Sequence, residues 1–183
     1  MRLAATIAAG LLVAGCGASV LTEADYSELA AGRSAAYAAE AEELRSTQLL
    51  RLDQAVADLV RDLEPDALEE AVVSETGRRS ASLFAALADA VERYADDLEA
   101  MEAPDSLLAA HLEFVDAQRL SIRDIGATIE ALSSAASLEA IAAAVGGSAF
   151  NDAQYRVDAA CRGLEERLVA EQVAADLNCR DDA

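Results

Sequence analysis

Two polar side chains interrupt an otherwise apolar pattern, and their types suit ligand or metal binding. Both lie on a stripe with steps of three and four residues, made of Leu108, His111, Val115, Gln118, Ile122, Ile125, Ile129 and Leu132. If this stripe borders a bundle cavity, His111 and Gln118 can orient a small ligand or hold a single metal ion. The alternative is structural: a partly buried imidazole bonded to a carboxylate or carbonyl, with Gln118 fixing the helix register.

Other catalytic and metal sites are excluded by the residues around each candidate. Cys161 precedes Arg-Gly-Leu, so the Cys-x-x-Cys-His motif of haem attachment is absent. Leu108 stands three residues before His111, where a bundle di-metal centre needs Glu. No serine lies in a Gly-x-Ser-x-Gly turn, and no glycine-rich loop has the spacing that cradles phosphate. We therefore expect neither an enzyme nor a cofactor or metal site.

Acidic groups recur along the chain and raise the question of cation binding. None has the alternating oxygens and the glycine of an EF-hand loop, so they indicate solvated helix faces. The groups are Glu40/Glu42/Glu43, Glu69/Glu70, Asp96/Asp97 and Asp181/Asp182.

The elements that position these residues are predicted to be long amphipathic helices. Leucine and valine at steps of three and four, with Ala, Glu and Arg between them, are typical of helices, and Pro65 and Pro104 mark breaks. A further interruption is expected at Thr76-Gly77, and a short helix between Ser137 and Gly146-Gly147. The fold class is therefore all-α, an antiparallel four-helix bundle. Its long helices are predicted over residues 22–63, 66–102, 106–132 and 148–176.

The N-terminus has the plan of a secretory signal peptide. Arg2 precedes an apolar run that is too short to span a membrane, and small residues follow it. The ending Leu-Val-Ala-Gly-Cys resembles the bacterial lipobox, which implies cleavage after Gly15 and lipidation of Cys16, for example by palmitate. We expect a signal peptide over residues 1–15, a lipidated tether over 16–21 and a single helical domain over 22–183. A lipid anchor with two or more chains holds such a domain stably on a membrane.

The chain has three cysteines, and setting Cys16 aside for lipid leaves an even pair. Cys161 and Cys179 are predicted to form a disulfide, since disulfides persist outside the cytoplasm. Two free thiols or half of a metal site are the alternatives, although the remaining ligands of a tetrahedral zinc site are missing. A bridge would fold the tail Leu177-Asn178-Cys179 back onto the last helix.

A loose resemblance covers the C-terminal half of the chain. The stretch from Pro104 through His111 to Phe114-Val115 looks like a pattern in uncharacterised exported helical-bundle lipoproteins of high-GC bacteria, and Cys161 and Cys179 are similar to their paired-cysteine ending. The resemblance implies an exported helical domain and carries no activity or site residue.

The net charge of the chain limits the classes of partner that it can bind. The sequence has 34 Asp and Glu against 14 Arg and no Lys, a formal net charge of −20, which repels nucleic acid and anionic lipid headgroups. We expect no nucleic acid partner and a membrane contact through the N-terminal lipid. The acidic surface favours cations or a basic protein as partners, and an envelope protein is one candidate. High-GC coding bias or adaptation to salt also explains this charge.

The leading functional hypothesis is a non-catalytic binding or structural module, anchored by lipid outside the cytoplasm at the cell membrane or outer membrane. The alternative is a small-ligand or cation carrier or sensor with a cavity near His111 and Gln118. A cavity along the third helix favours the carrier, a filled core with an exposed apolar face favours a protein partner, and a cleft holding His111 beside two carboxylates favours an enzyme.

Overall fold

The computed structural model describes residues 21–179, and within that span it contains helices and no strand. Four long helices pack against one another, which confirms the all-α four-helix bundle, and a short helix precedes the last of them. The helices are α1 (Glu23–Asp62), α2 (Pro65–Glu99), α3 (Leu108–Ser133), α4 (Leu138–Val145) and α5 (Ser148–Ala170). The described helices include none that is both long enough and apolar enough to cross a membrane.

Three helices, α1, α2 and α4, begin where the sequence supplies a capping residue or a proline. The Thr22 hydroxyl accepts a hydrogen bond from the Asp25 backbone N–H at 3.2 Å and starts α1. α2 begins at Pro65, whose missing N–H costs nothing in the first turn of a helix. The Ser137 hydroxyl accepts from the Ala140 N–H at 3.1 Å, as expected for the short helix. Local sequence therefore fixes these helix starts independently of the core.

Neighbouring long helices run antiparallel. Tyr37 of α1 stacks on Tyr94 of α2. Arg33 lies about one turn before Tyr37 and pairs at 2.6 Å with Asp97, which lies almost one turn after Tyr94, so the two helices run in opposite directions. α2 and α3 are registered in the same way, since Arg119 bonds to Glu99 at 2.6 Å near one end of the pair.

A glycine marks the other end of the contact between α2 and α3. α2 continues through Gly77, so the predicted interruption at Thr76-Gly77 is wrong. A Cβ atom at position 77 would lie 2.9 Å from the Leu132 carbonyl oxygen and 3.7 Å from the Ile141 side chain. Gly77 therefore allows the end of α3 to approach the α2 backbone closely, and the glycine serves packing.

The last helix is shorter than predicted, because it ends at Ala170 and not near residue 176. Gln172 adopts a left-handed φ of 62°. The Val173 N–H bonds to the Leu168 carbonyl at 3.0 Å, and the Gln172 N–H bonds to the Val169 carbonyl at 3.0 Å. These two bonds form a Schellman motif with glutamine where glycine is usual. The sequence lacked the glycine that signals such an ending.

Residues 171–179, called here the C-terminal strap, join α5 to α1. The Ser27 hydroxyl of α1 donates to the Ala174 carbonyl at 2.9 Å, and the Ser34 hydroxyl donates to the Leu177 carbonyl. On the other side the Leu177 N–H donates to the Glu165 carboxylate of α5 at 2.7 Å. The Leu177 side chain is buried. The strap thus forms part of the hydrophobic core and links the first helix to the last.

The far ends of α1 and α2 extend past α3. α1 has 40 residues and α3 has 26, which correspond to lengths of about 60 and about 39 Å. Because α3 ends beside Gly77, the α1–α2 hairpin continues beyond it. Leu49 and Val60 are each 57% exposed on this projecting part. An apolar stripe at steps of three and four residues is therefore only partly covered on this part of α1. It consists of Leu49, Leu52, Val56, Leu59 and Leu63.

The N-terminal predictions concern residues that lie outside the described range 21–179. They are the signal peptide over residues 1–15, cleavage after Gly15 and lipidation of Cys16. The acidic pair Asp181/Asp182 also lies outside that range.

Candidate functional site

A cavity of about 200 Å³, partly open to solvent, lies between α1, α2, α3, α5 and the strap. It occurs where two hydrophobic clusters meet. Tyr94 and Phe114 on its wall belong to one cluster, while Ile125 and Phe150 contact the other. A cavity of about 150 Å³ in an apolar core has room for benzene, so this volume suits a single ring with a small substituent.

α3 explains why the core is divided at this point. Its buried residues include Phe114 and Val115 on one side of the division and Ile125 on the other, with Gln118 and Ser121 between them. Short or polar side chains at these middle positions cannot fill the centre of the bundle with apolar volume. The polar interruption visible in the sequence therefore coincides with the cavity.

Gln118 is the polar side chain available to a ligand. The residue is only 3% exposed, and no hydrogen bond joins its carboxamide to another group within residues 21–179. Every fully buried side-chain N or O atom of the described residues has a partner. The Gln118 carboxamide must therefore reach the open space of the cavity, where it offers one acceptor oxygen and an NH₂ donor.

The two serine hydroxyls on the wall already donate hydrogen bonds within the protein. The Ser121 hydroxyl donates to the Gln118 backbone carbonyl at 2.7 Å, within α3. The Ser34 hydroxyl donates to the Leu177 carbonyl and so holds the strap. Ser34 and Ser121 are both buried, and these bonds satisfy their donors. Neither hydroxyl hydrogen is available to a guest molecule.

Aromatic rings form one wall of the cavity. The rings of Tyr37 and Tyr94 are stacked, with centroids 4.9 Å apart and planes 5° from parallel. Phe114 meets Tyr94 edge to face at 6.2 Å. Burial raises the pKa of Tyr94 to about 12, so this phenol is neutral at physiological pH. The wall is therefore an uncharged surface that suits an aromatic ring.

Charged side chains border the cavity without being fully buried in it. Arg45 of α1 has a side chain that is 41% exposed, and its guanidinium lies 3.8 Å from the Glu42 carboxylate. Asp158 of α5 is half-buried. Both keep contact with water, so the charges lie toward the surface and the deeper wall is neutral.

The predicted disulfide is present and holds the strap against the cavity. Cys161 of α5 and Cys179 are bonded, with their Cα atoms 5.7 Å apart. Leu177, Asn178 and Cys179 all line the cavity. The bridge that follows from counting cysteines thus also fixes one wall of the candidate site.

His111 is placed differently from Gln118. It is buried at 3% exposure, its Nδ1 lies 2.9 Å from the Tyr26 hydroxyl, and the two rings meet edge to face. Burial lowers the pKa of His111, which favours the neutral ring. The histidine does not line the cavity. Its hydrogen-bond partner is a tyrosine hydroxyl, and the sequence pointed to a carboxylate or carbonyl.

The acidic groups lie on the surface and several pair with arginine. Glu40 pairs with Arg93, and Asp96 bonds to Arg119 at 2.5 Å. Across residues 21–179 no three His, Cys, Asp or Glu side chains come together in a way that could hold a metal ion.

Sequence reasoning missed the contribution of α1 to the site. Ala30, Ser34, Tyr37 and Ala41 recur at steps of four, three and four residues, and Ser34, Tyr37 and Ala41 line the cavity. The same periodicity as on α3 was therefore present. It was not recognised because small and polar residues replaced leucine and valine on this face.

Comparison with known proteins identifies no relative. No family model matches the chain, and neither the curated proteins nor the solved structures compared with it give a match.

Proposed function

We propose that this protein is a lipid-anchored, extracytoplasmic module that binds a small ligand in its bundle cavity and performs no catalysis. The observation that carries the proposal is the cavity of about 200 Å³ into which the unpaired Gln118 carboxamide reaches. A polar group left without a partner at such a site is stabilised when a guest supplies one. The anchor rests on the lipobox-like sequence that ends at Cys16.

The non-catalytic role is supported by the chemistry of the cavity wall. The chain has one histidine, and that residue is bonded to Tyr26 away from the cavity. Ser34 and Ser121 have no imidazole beside them to activate a hydroxyl nucleophile. The wall is therefore better suited to holding a molecule than to transforming it.

Native mass spectrometry tests the binding function. The mature protein is extracted in mild detergent from its own membranes, without chelator, and its intact mass is measured. We expect a reproducible added mass that is lost in Gln118→Leu and retained in Gln54→Leu, where an exposed glutamine on the outer surface of α1 is changed in the same way. A bare mass in all three proteins would contradict the proposal.

Metabolic labelling tests the anchor separately. Cells that express the chain are grown with radioactive palmitate, and the protein is isolated. Label should appear in the parent protein and be absent from Cys16→Ser. Equal labelling of the two would show that Cys16 does not carry the lipid.

The projecting α1–α2 hairpin favours a second candidate function, docking of a basic envelope protein. Leu49, Leu50 and Val60 are 57%, 71% and 57% exposed there, on a chain of net charge −20. Crosslinking in intact cells tests this. A basic partner should be captured by the parent protein and lost when Leu49 and Val60 are changed to glutamine; unchanged capture would rule out this surface.

A further inference from the structure

We infer that the cavity takes a neutral, single-ring compound that carries a carboxamide or an equivalent pair of adjacent donor and acceptor atoms. The inference rests on the proposed small-ligand function and adds the chemical class of the ligand. It follows from three properties of the cavity: its volume, its aromatic wall and the carboxamide of Gln118, a buried lining side chain without a hydrogen bond among the described residues.

Volume sets the size of the ligand. A cavity of about 200 Å³ exceeds the roughly 150 Å³ that accommodates benzene by the space of a small substituent. The part of a ligand that these walls enclose is therefore no larger than one ring with a small substituent. Leu177 and the Cys161–Cys179 disulfide form the wall on the side of the strap.

The aromatic wall favours a ring over an aliphatic group. The stacked pair Tyr37–Tyr94 and the edge-on ring of Phe114 present flat and edge surfaces within one cluster. Aromatic guests gain offset-stacked and edge-to-face contacts against such surfaces in addition to the burial of apolar area. A planar ring therefore matches the wall in shape and in polarity.

The polar side of the cavity selects the substituent. The buried hydroxyls of Ser34 and Ser121 already donate to backbone carbonyls, so among these three buried polar side chains the Gln118 carboxamide is the unengaged one. It presents a donor beside an acceptor, and a carboxamide on the ligand can satisfy both at once. An apolar ring would leave both unsatisfied, and burying an unpaired polar group is costly.

The absence of a charged group from the deep wall, among the described lining residues, selects a neutral ligand. Arg45 and Asp158 border the cavity but remain partly hydrated. An ionised ligand placed beside Gln118 would lose its hydration without gaining an opposite charge. A carboxylate would instead be drawn toward Arg45, which provides a distinguishable outcome.

Equilibrium dialysis with three probes of similar shape tests the inference. Benzamide, toluene and benzoate are dialysed against the full chain in detergent micelles, with empty micelles as the reference for partitioning. We expect benzamide to bind at least about tenfold more tightly than toluene or benzoate, a difference of about 1.4 kcal/mol. In Gln118→Leu the order of benzamide and toluene should reverse, and in Gln54→Leu it should be unchanged.

The outcomes separate the ligand class from the proposed function. Tightest binding of toluene, with no effect of Gln118→Leu, would overturn the class and keep a small-ligand cavity. Tightest binding of benzoate, lost in Arg45→Gln, would also overturn the class by placing the polar group at the surface. Binding of none of the probes would overturn the class, and a bare mass in the native mass measurement would in addition overturn the small-ligand function. If Gln118→Leu does not fold, Gln118→Met serves in its place, and the ranking in the parent protein already tests the class.

Discussion

Removal of the Cys161–Cys179 disulfide is the perturbation whose effect the structure allows us to work out most fully. The bridge closes a segment with a sequence separation of 18 residues. In the chain-entropy model, constraining a loop of this size in the unfolded state stabilises the fold by about 3 kcal/mol. We therefore expect the double variant Cys161→Ala/Cys179→Ala to lose about 3 kcal/mol in its free energy of unfolding.

The assay is urea unfolding of the parent and the double variant, followed by far-ultraviolet circular dichroism. The midpoint should fall, and the urea dependence should steepen because the unfolded chain without the bridge exposes more surface. A midpoint equal to that of the parent protein would refute the reasoning, since it would mean that the bridge does not reduce the conformational freedom of the unfolded chain.

A companion variant separates the bridge from the packing of the strap. Leu177 is 1% exposed, so Leu177→Ala in the disulfide-bonded chain should cost about 2–5 kcal/mol through lost burial and the space left behind. Val169 is 63% exposed at the end of α5, and Val169→Ala should change stability by less than about 0.5 kcal/mol. Equal effects of the two variants would show that the strap does not pack as described.

Three further predictions concern single positions. Gln172→Gly should raise the free energy of unfolding by about 1 kcal/mol, because glycine adopts the φ of 62° without the cost that glutamine bears; thermal unfolding measures this, and a loss of stability would contradict the Schellman ending. Gly77→Ala should destabilise the protein, because its Cβ would lie 2.9 Å from the Leu132 carbonyl oxygen. Gly126→Ala, on the exposed side of α3, should instead stabilise it by up to about 1 kcal/mol. A change of stability in the same direction at both positions would refute the close contact at Gly77. Burial lowers the pKa of His111 below 6.5, so the unfolded state binds more protons than the folded state near that pH. The free energy of unfolding should therefore fall as the pH drops from 7 toward 5.5, by at most about 1.4 kcal/mol per pH unit. Denaturant titrations at each pH should find this slope in the parent protein and not in His111→Leu.

The fold could be predicted from the sequence wherever a local signal existed. Proline at position 65 and serine at position 137 marked a break and a helix start, and both occur as expected. The continuous α2 and the shortened α5 could not be predicted. Gly77 is explained by a carbonyl from α3 that is distant in sequence, and Gln172 takes a conformation that its residue type does not favour.

The candidate site was visible in part. Gln118 stood out because a polar residue on an apolar stripe is unusual, and the structure places it at the cavity. His111 stood out for the same reason but lies against Tyr26, a residue 85 positions away whose side chain no local pattern could pair with it. Whether His111 or Gln118 borders a cavity depends on the helices that pack against α3, and the residues around each position in the sequence do not reveal that packing.

The position of the strap could also not be predicted from the residues near it in the sequence. Counting cysteines predicted the bond between Cys161 and Cys179, but residues 171–179 have no periodic pattern. Their hydrogen bonds to Ser27 and Ser34 depend on small side chains on the first helix, far away in sequence. The burial of Leu177 follows from that docking.

A crystal structure of the protein, purified from the cells that produce it without added ligand, tests the central claim most directly. We predict connected electron density for a ring-sized molecule in the cavity, with a polar atom within about 3.2 Å of the Gln118 carboxamide. Separate water molecules only, or a cavity closed by repacked side chains, would contradict the claim that this bundle binds a small ligand.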